Sequence, residues 1–150
     1  MPAPDTVPRT LGRLRVALED AFLRAARELG LTAQQAELLC AAMRPSAIGD
    51  LAQELRCDRS NVSRLVDRAS SRGLLERRAG DSDGRVNIVR LTDEGDALAR
   101  RFIAALERQL DDVLDQWSPQ KQRSAVRLMT EIADALDAPR ADPRRDTHPR

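Results

Sequence analysis

Hydrophobic positions fall into helical stripes over most of this chain, interrupted once by two short β-prone runs. Leu11, Leu14, Leu18, Phe22, Ala25 and Leu29 recur at three- and four-residue spacing and predict a first helix over about 9–29, ended by Gly30. Thr32 caps a second helix carrying Ala36, Leu39, Cys40 and Met43, which stops near Pro45. Ile48, Leu51, Ala52 and Leu55 form a third stripe; Val62, Leu65, Val66 and Ala69 form a fourth after a break at Arg56–Cys57–Asp58. Asp58 has the chemistry of an N-cap, because its carboxylate can accept a free N–H one turn on. Arg72–Gly73 stops that helix. Leu74–Arg78 and Val86–Leu91 flank the polar segment AGDSDG and predict a hairpin. Thr92 then caps a long helix with Leu98, Phe102, Ala105, Leu106, Leu110, Val113, Leu114 and Trp117 on one side. Ser118–Pro119 breaks it, and a last helix to about Leu136 carries Val126, Met129, Ile132, Ala133 and Leu136.

Two short helices joined by a tight turn, with small Ala52 where they would cross closely, make a helix-turn-helix. The hairpin behind the second helix is its wing. The predicted class is therefore mainly α (α+β): a winged helix-turn-helix over about 46–92 with further helices over about 9–29 and 92–138. A winged helix-turn-helix folds with far fewer residues, so the surplus amphipathic helices imply a second buried surface. That surface is either a self-contained helical subdomain or a dimer interface. A dimer fits the need to set two recognition helices one DNA turn apart, about 34 Å. Residues 9–138 are thus expected to form a single domain, with disordered segments at 1–8 and 139–150.

Charge changes the picture through its distribution. The net charge is only +1, yet nine arginines face five carboxylates between Arg56 and Arg90. The concentration of basic charge on the helix-turn-helix points to duplex DNA; the bland alternative is a solvated arginine-rich helix in a chain whose single lysine is Lys121. Aromatic residues are limited to Phe22, Phe102 and Trp117, so Leu, Val and Ala must build the core. No run of 18 apolar residues and no charged-then-apolar leader occur, so a cytoplasmic protein without membrane contact is expected.

Enzyme chemistry is disfavoured. His148 is the only histidine and falls in the terminal ADPRRDTHPR segment, and no GxxxxGK phosphate loop is present. Neither a metal site nor a cofactor is expected. Cys40 and Cys57 fit as small buried hydrophobes. The alternative is a redox switch, with Cys57 just before a helix N-terminus that would lower its pKa.

On the second helix of the motif, Arg59, Ser60, Asn61, Ser63, Arg64 and Arg68 lie away from the apolar stripe. Arg59, Asn61 and Arg64 are the candidates for base edges, since Arg can be bidentate to guanine and Asn to adenine. Ser60, Ser63 and Arg68 are assigned to phosphates, and Asp67 is expected to pair with Arg64 on the helix. In the wing, Arg85 would enter the minor groove with Asp83 holding its guanidinium, unless the two form a salt bridge that merely stiffens the hairpin. Arg77, Arg78 and Arg90 are candidate phosphate contacts from the strands.

The segments LGLTAQQAELLCA (Leu29–Ala41), LAQELRCDRSNVSRLVDRASSRGLLERR (Leu51–Arg78) and DSDGRVNIVRLTDEG (Asp81–Gly95) resemble the MarR family of bacterial transcriptional regulators, in order and over roughly residues 10–138. Two positions depart from the pattern. Arg56 stands where many such turns have Gly, so a strained backbone there, costing about 1 kcal/mol, is expected. Gly84 stands before Arg85, leaving one arginine at the wing tip. The resemblance implies a homodimeric repressor of a pseudo-palindromic operator, released by a small aromatic or phenolic acid. The effector cleft it implies is lined by Leu14, Leu18, Phe22, Leu39, Met43 and Phe102, with Arg13 or Arg15 as carboxylate partner, although the same apolar residues suffice as core. The family's peroxide sensors carry a reactive cysteine in the first helix, where this chain has none. The alternative function is a winged-helix protein-interaction module that does not use DNA.

Overall fold

The computed structural model describes residues 6–79 and 87–137. In chain order they form α1 (Val7–Glu28), α2 (Ala33–Ala41), β1 (Ser46–Ala47), α3 (Ile48–Glu54), α4 (Arg59–Ser71), β2 (Leu75–Ala79), β3 (Asn87–Leu91), α5 (Asp93–Leu114) and α6 (Pro119–Asp137). The chain divides within α5 into two compact units, the first ending at Gln109 and the second beginning at Leu110. The class is mainly α with one small antiparallel sheet, as the pattern predicts.

Helix α1 starts at Val7, before the expected position 9, and so corrects the disorder anticipated over 1–8 for its last residues. Pro8 sits in the first turn, where a missing N–H leaves no bond unmade. Residues 1–5 and 138–150, the latter including the expected disordered tail, lie outside the described residues. Thr32 caps α2 through a capping box: the Gln35 N–H donates to Thr32 Oγ1 at 3.2 Å, and the Thr32 N–H donates to Gln35 Oε1 at 3.0 Å. Met43, placed on this helix by its spacing, lies beyond the helix end at Ala41. Pro45 disfavours helical backbone at Arg44, and the chain instead enters β1.

The helix-turn-helix forms as the pattern demands. Arg56 takes φ +51°, a left-handed conformation and so the strained backbone expected there, and the Cys57 N–H reaches back to the Ala52 carbonyl at 3.0 Å. Asp58 caps α4 by accepting the Asn61 N–H at 2.9 Å. At the other end Gly73, with φ +73°, lets the Leu74 N–H bond the Ala69 carbonyl at 3.0 Å. The predicted hairpin is present as β2 and β3, with Leu75 opposite Leu91 and Glu76 opposite Arg90. A third strand was not legible: β1 pairs Ser46 with Val89 and Ala47 with Ile88, making the sheet order β1-β3-β2. Two residues carry no periodicity, so such a strand has no signature.

Leu38, Leu39, Leu51, Val62, Val66, Val89 and Phe102 are fully buried and form the centre of the first unit. Phe22 meets Phe102 edge-on at 4.7 Å between centroids. Gln109 of α5 accepts from Arg24 Nε at 3.0 Å and donates to the Ala21 carbonyl at 3.2 Å, which fixes α1 on that helix. In the second unit Ser118 Oγ accepts the Lys121 N–H at 3.3 Å, starting α6 where Pro119 predicts.

The β3–α5 junction is the tightest point. Thr92 Oγ1 donates to the Gly73 carbonyl at 2.6 Å and accepts the Gly95 N–H at 3.1 Å, capping α5. A Cβ on Gly95 would lie 2.0 Å from the Leu74 carbonyl oxygen, which itself accepts the Thr92 N–H. Because that neighbour is backbone, it cannot step aside. Gly95→Ala is expected to destabilise the first unit by about 1–3 kcal/mol, the usual cost of overpacking. Chemical denaturation followed by circular dichroism checks this, and an unchanged midpoint would refute it.

Candidate nucleic-acid interface

Helix α4 turns Val62, Leu65, Val66 and Ala69 into the core, and this decides which residues are presented. Arg59, Ser60, Arg64, Asp67 and Arg68 are exposed, while Asn61 and Ser63 are half-buried at the margin. No hydrogen bond or ion pair joins the Arg64 or Arg68 side chain to another group among the described residues. Arg59 is disposed differently: its guanidinium lies over α3, so close to Gly49 that a Cβ there would be 2.9 Å from Nη2. Ser60 donates to Asp58 Oδ1 at 2.5 Å and thereby supports the cap.

The wing strands engage their arginines within the protein. Arg77 Nη2 donates to Asp67 Oδ1 at 2.6 Å, with Ser63 Oγ at 3.3 Å, joining β2 to α4. Asp67 was expected to pair with Arg64; Arg77 takes it instead, since the strand brings a guanidinium in from the side. Glu76 accepts from Arg90 across the sheet and pairs with Arg78 at 3.2 Å. Sequence reasoning missed Asp67 and Glu76 as organisers of this face, although Glu76 directly opposite Arg90 follows once the hairpin register is known. Asp83 and Arg85, the wing-tip pair, lie outside the described residues.

The anticipated effector residues are divided by the fold. Leu39 and Phe102 belong to the buried core. Leu18 and Phe22 line an apolar cleft of about 450 Å³ between α1 and α2, together with Leu23, Ala33, Glu19 and Glu37. Leu14 is exposed on α1, and Met43 lines a separate cleft beside Thr92 and Asp96. Arg15 is ion-paired with Glu19, and Arg13 lines another cleft with Arg9 and Val16. Cys40 is half-buried, and burial first, with Glu37 adding to it, raises its pKa, which disfavours the reactive thiolate. The Cys57 thiol donates to the Leu55 carbonyl at 3.2 Å.

Residues 29–86 match the model of the MarR family. YdgJ of Bacillus subtilis (strain 168), described as an uncharacterized HTH-type transcriptional regulator, is 24% identical over 110 residues, covering 72% of this chain and 67% of YdgJ. The transcriptional repressor CouR, solved bound to a 23-mer DNA duplex, is 26% identical with a TM-score of 0.69, over 87% of this chain and 92% of CouR. NadR, solved in complex with 4-hydroxyphenylacetate, is 22% identical with a TM-score of 0.69, over 89% of this chain and 98% of NadR.

Two carboxylates hold the presented face in place, and both titrate low. The Ser60 hydroxyl, then the Asn61 N–H, hold Asp58 below its ordinary 3.8; the Arg90 hydrogen bond, aided by the charge of Arg78, holds Glu76 below 4.5. A depressed folded-state pKa contributes stability above the ordinary value and loses it as pH falls through the lowered one. Thermal melts should therefore respond little to these groups at neutral pH and lose stability in the acid range below 4.5. The double variant Asp58→Asn, Glu76→Gln keeps the capping oxygen but cannot titrate there, so its acid limb should be shallower. An identical acid limb would show that neither carboxylate contributes.

Proposed function

We propose that this chain, whose residues 29–86 match the MarR family model, is a homodimeric cytoplasmic repressor that reads a pseudo-palindromic operator through α4 and the wing. The observation that carries this is the arginine face of α4. Arg64 and Arg68 project from a helix whose opposite side is locked into the core, and guanidinium groups presented this way suit guanine edges in the major groove or the flanking phosphates. In this assignment Asn61 and Arg64 contact base edges, Arg59 does so once its guanidinium swings off Gly49, and Ser60, Ser63 and Arg68 contact phosphates. Arg77 and Arg78 add positive potential beside the backbone, Arg77 doing so while it ties β2 to α4. Arg85, with Asp83 as its partner, is assigned to the minor groove, both residues lying outside the described ones. The structure of CouR on duplex DNA supports this use of the fold over a protein-interaction module. NadR with 4-hydroxyphenylacetate supports control by a small aromatic molecule.

Exposed apolar surface supports the dimer. Val126, Leu128, Met129, Ile132 and Leu136 of α6 are between 36% and 74% exposed, and Leu14 and Val16 of α1 are 39% and 48% exposed. Each such side chain gains about 1.5–3 kcal/mol on full burial, so a second copy of the chain is the natural cover for these faces.

Gel shifts against the DNA flanking its own coding sequence test the repressor directly. Arg64→Ala should cost about 1–3 kcal/mol and relax preference at one position in each half-site. Arg85→Ala should lower the salt slope of operator binding by about one unit. Wild-type affinity, preference and slope in both variants would place the reading surface elsewhere. For the dimer, sedimentation should give a two-chain mass at micromolar concentration, and Met129→Glu with Ile132→Glu should shift it toward one chain; a single-chain wild type would end the proposal.

A further inference from the structure

The cleft between α1 and α2 carries charge of the opposite sign to that suited to an acid. Leu18, Phe22, Leu23 and Ala33 make its walls apolar, and its charged members are Glu19 and Glu37. Its volume of about 450 Å³ suits a small molecule. Phe22, braced edge-on by Phe102, supplies a fixed aromatic wall that is partly open to solvent. Arg15, four residues before Glu19, is already paired with it on the exposed side of α1. Burial, with the Glu37 charge adding to it, raises the pKa of neighbouring Cys40. An apolar box with an aromatic wall and carboxylates at its rim recognises positive charge, through ion pairing and attraction to the ring face. A carboxylate entering the same space would meet like charge.

A second cleft shares Phe22 and Glu37 with the first and continues to Cys40, Leu55 and Arg56. Arg56 is the residue held at φ +51° in the turn before α4. An occupant that draws Glu37 toward itself therefore acts on the wall leading to that turn.

We propose that this cleft binds a small aromatic cation, a protonated amine or quaternary ammonium ion, and that occupancy is transmitted to the turn preceding α4. Binding stands by itself; the transmission rests on the repressor assignment above.

Calorimetry on the full chain with benzyltrimethylammonium, and with phenylacetate as the anionic counterpart, tests it without DNA. The cation should bind and phenylacetate should not. Glu19→Gln with Glu37→Gln, both exposed on helix surfaces, should keep the circular dichroism spectrum and weaken the cation about tenfold. Preference for phenylacetate, no binding of either probe, or equal cation binding in the double variant would overturn the site. In a separate gel shift, benzyltrimethylammonium should lower operator affinity in the wild type and not in the double variant; unchanged affinity would overturn the transmission. A chain that takes the cation in this manner but shifts no DNA would sink the repressor assignment while the cleft stands.

Discussion

The carbonyls of Gly73 and Leu74 are where three parts of the first unit meet. Gly73 accepts from the Thr92 hydroxyl and Leu74 from the Thr92 N–H, and Gly95 packs against Leu74 with no room for a side chain. One short stretch of backbone thus ends α4, begins the wing and receives the first turn of α5. The left-handed Gly73 makes this turn out of α4 at little steric cost. The position of α4 relative to the wing and the long helix depends on this junction, and a nucleic-acid reader needs that relation to be rigid.

Around this frame the arginines separate into two groups with different work. Arg77, Arg78 and Arg90 are bound to Asp67 and Glu76, which fixes strands to helix and to each other. Such exposed pairs contribute little to stability individually; their effect is to set where the wing lies beside α4. Arg64 and Arg68 have no such ties among the described residues and remain available. A nearly neutral chain can in this way present a basic face, since its carboxylates are spent on particular arginines rather than spread evenly.

The apolar economy of the chain points the same way. With two phenylalanines and one tryptophan, the first unit closes on Leu, Val and Ala around Phe102. That small core leaves Leu14 and Val16 of α1 exposed, and in the second unit α6 exposes Val126, Met129 and Leu136, apolar surface of a kind that marks an interface. The α1–α2 cleft lies on the first unit, and its walls are continuous with the turn that precedes α4. The cleft and α4 therefore share structure through the backbone of α2 and α3.

Periodicity and local chemistry determined much of this by themselves. Thr32, Asp58, Thr92 and Ser118 each announce a helix start, and each forms its cap because the needed oxygen lies within one turn of the N–H it accepts. Gly73, and the anticipated strain at Arg56, are equally local properties. The polar face of α4 was legible too, as the complement of a strict apolar stripe. What only the tertiary structure decided depends on residues far apart in sequence. The strand at Ser46–Ala47 exists because Val89 and Ile88 lie beside it. Asp67 belongs to Arg77 rather than Arg64 because β2 returns along α4. Leu39 and Phe102 went to the core and Leu18 and Phe22 to a cleft edged by glutamates because packing sorts chemically similar side chains by position, and a one-dimensional pattern records only that they are apolar.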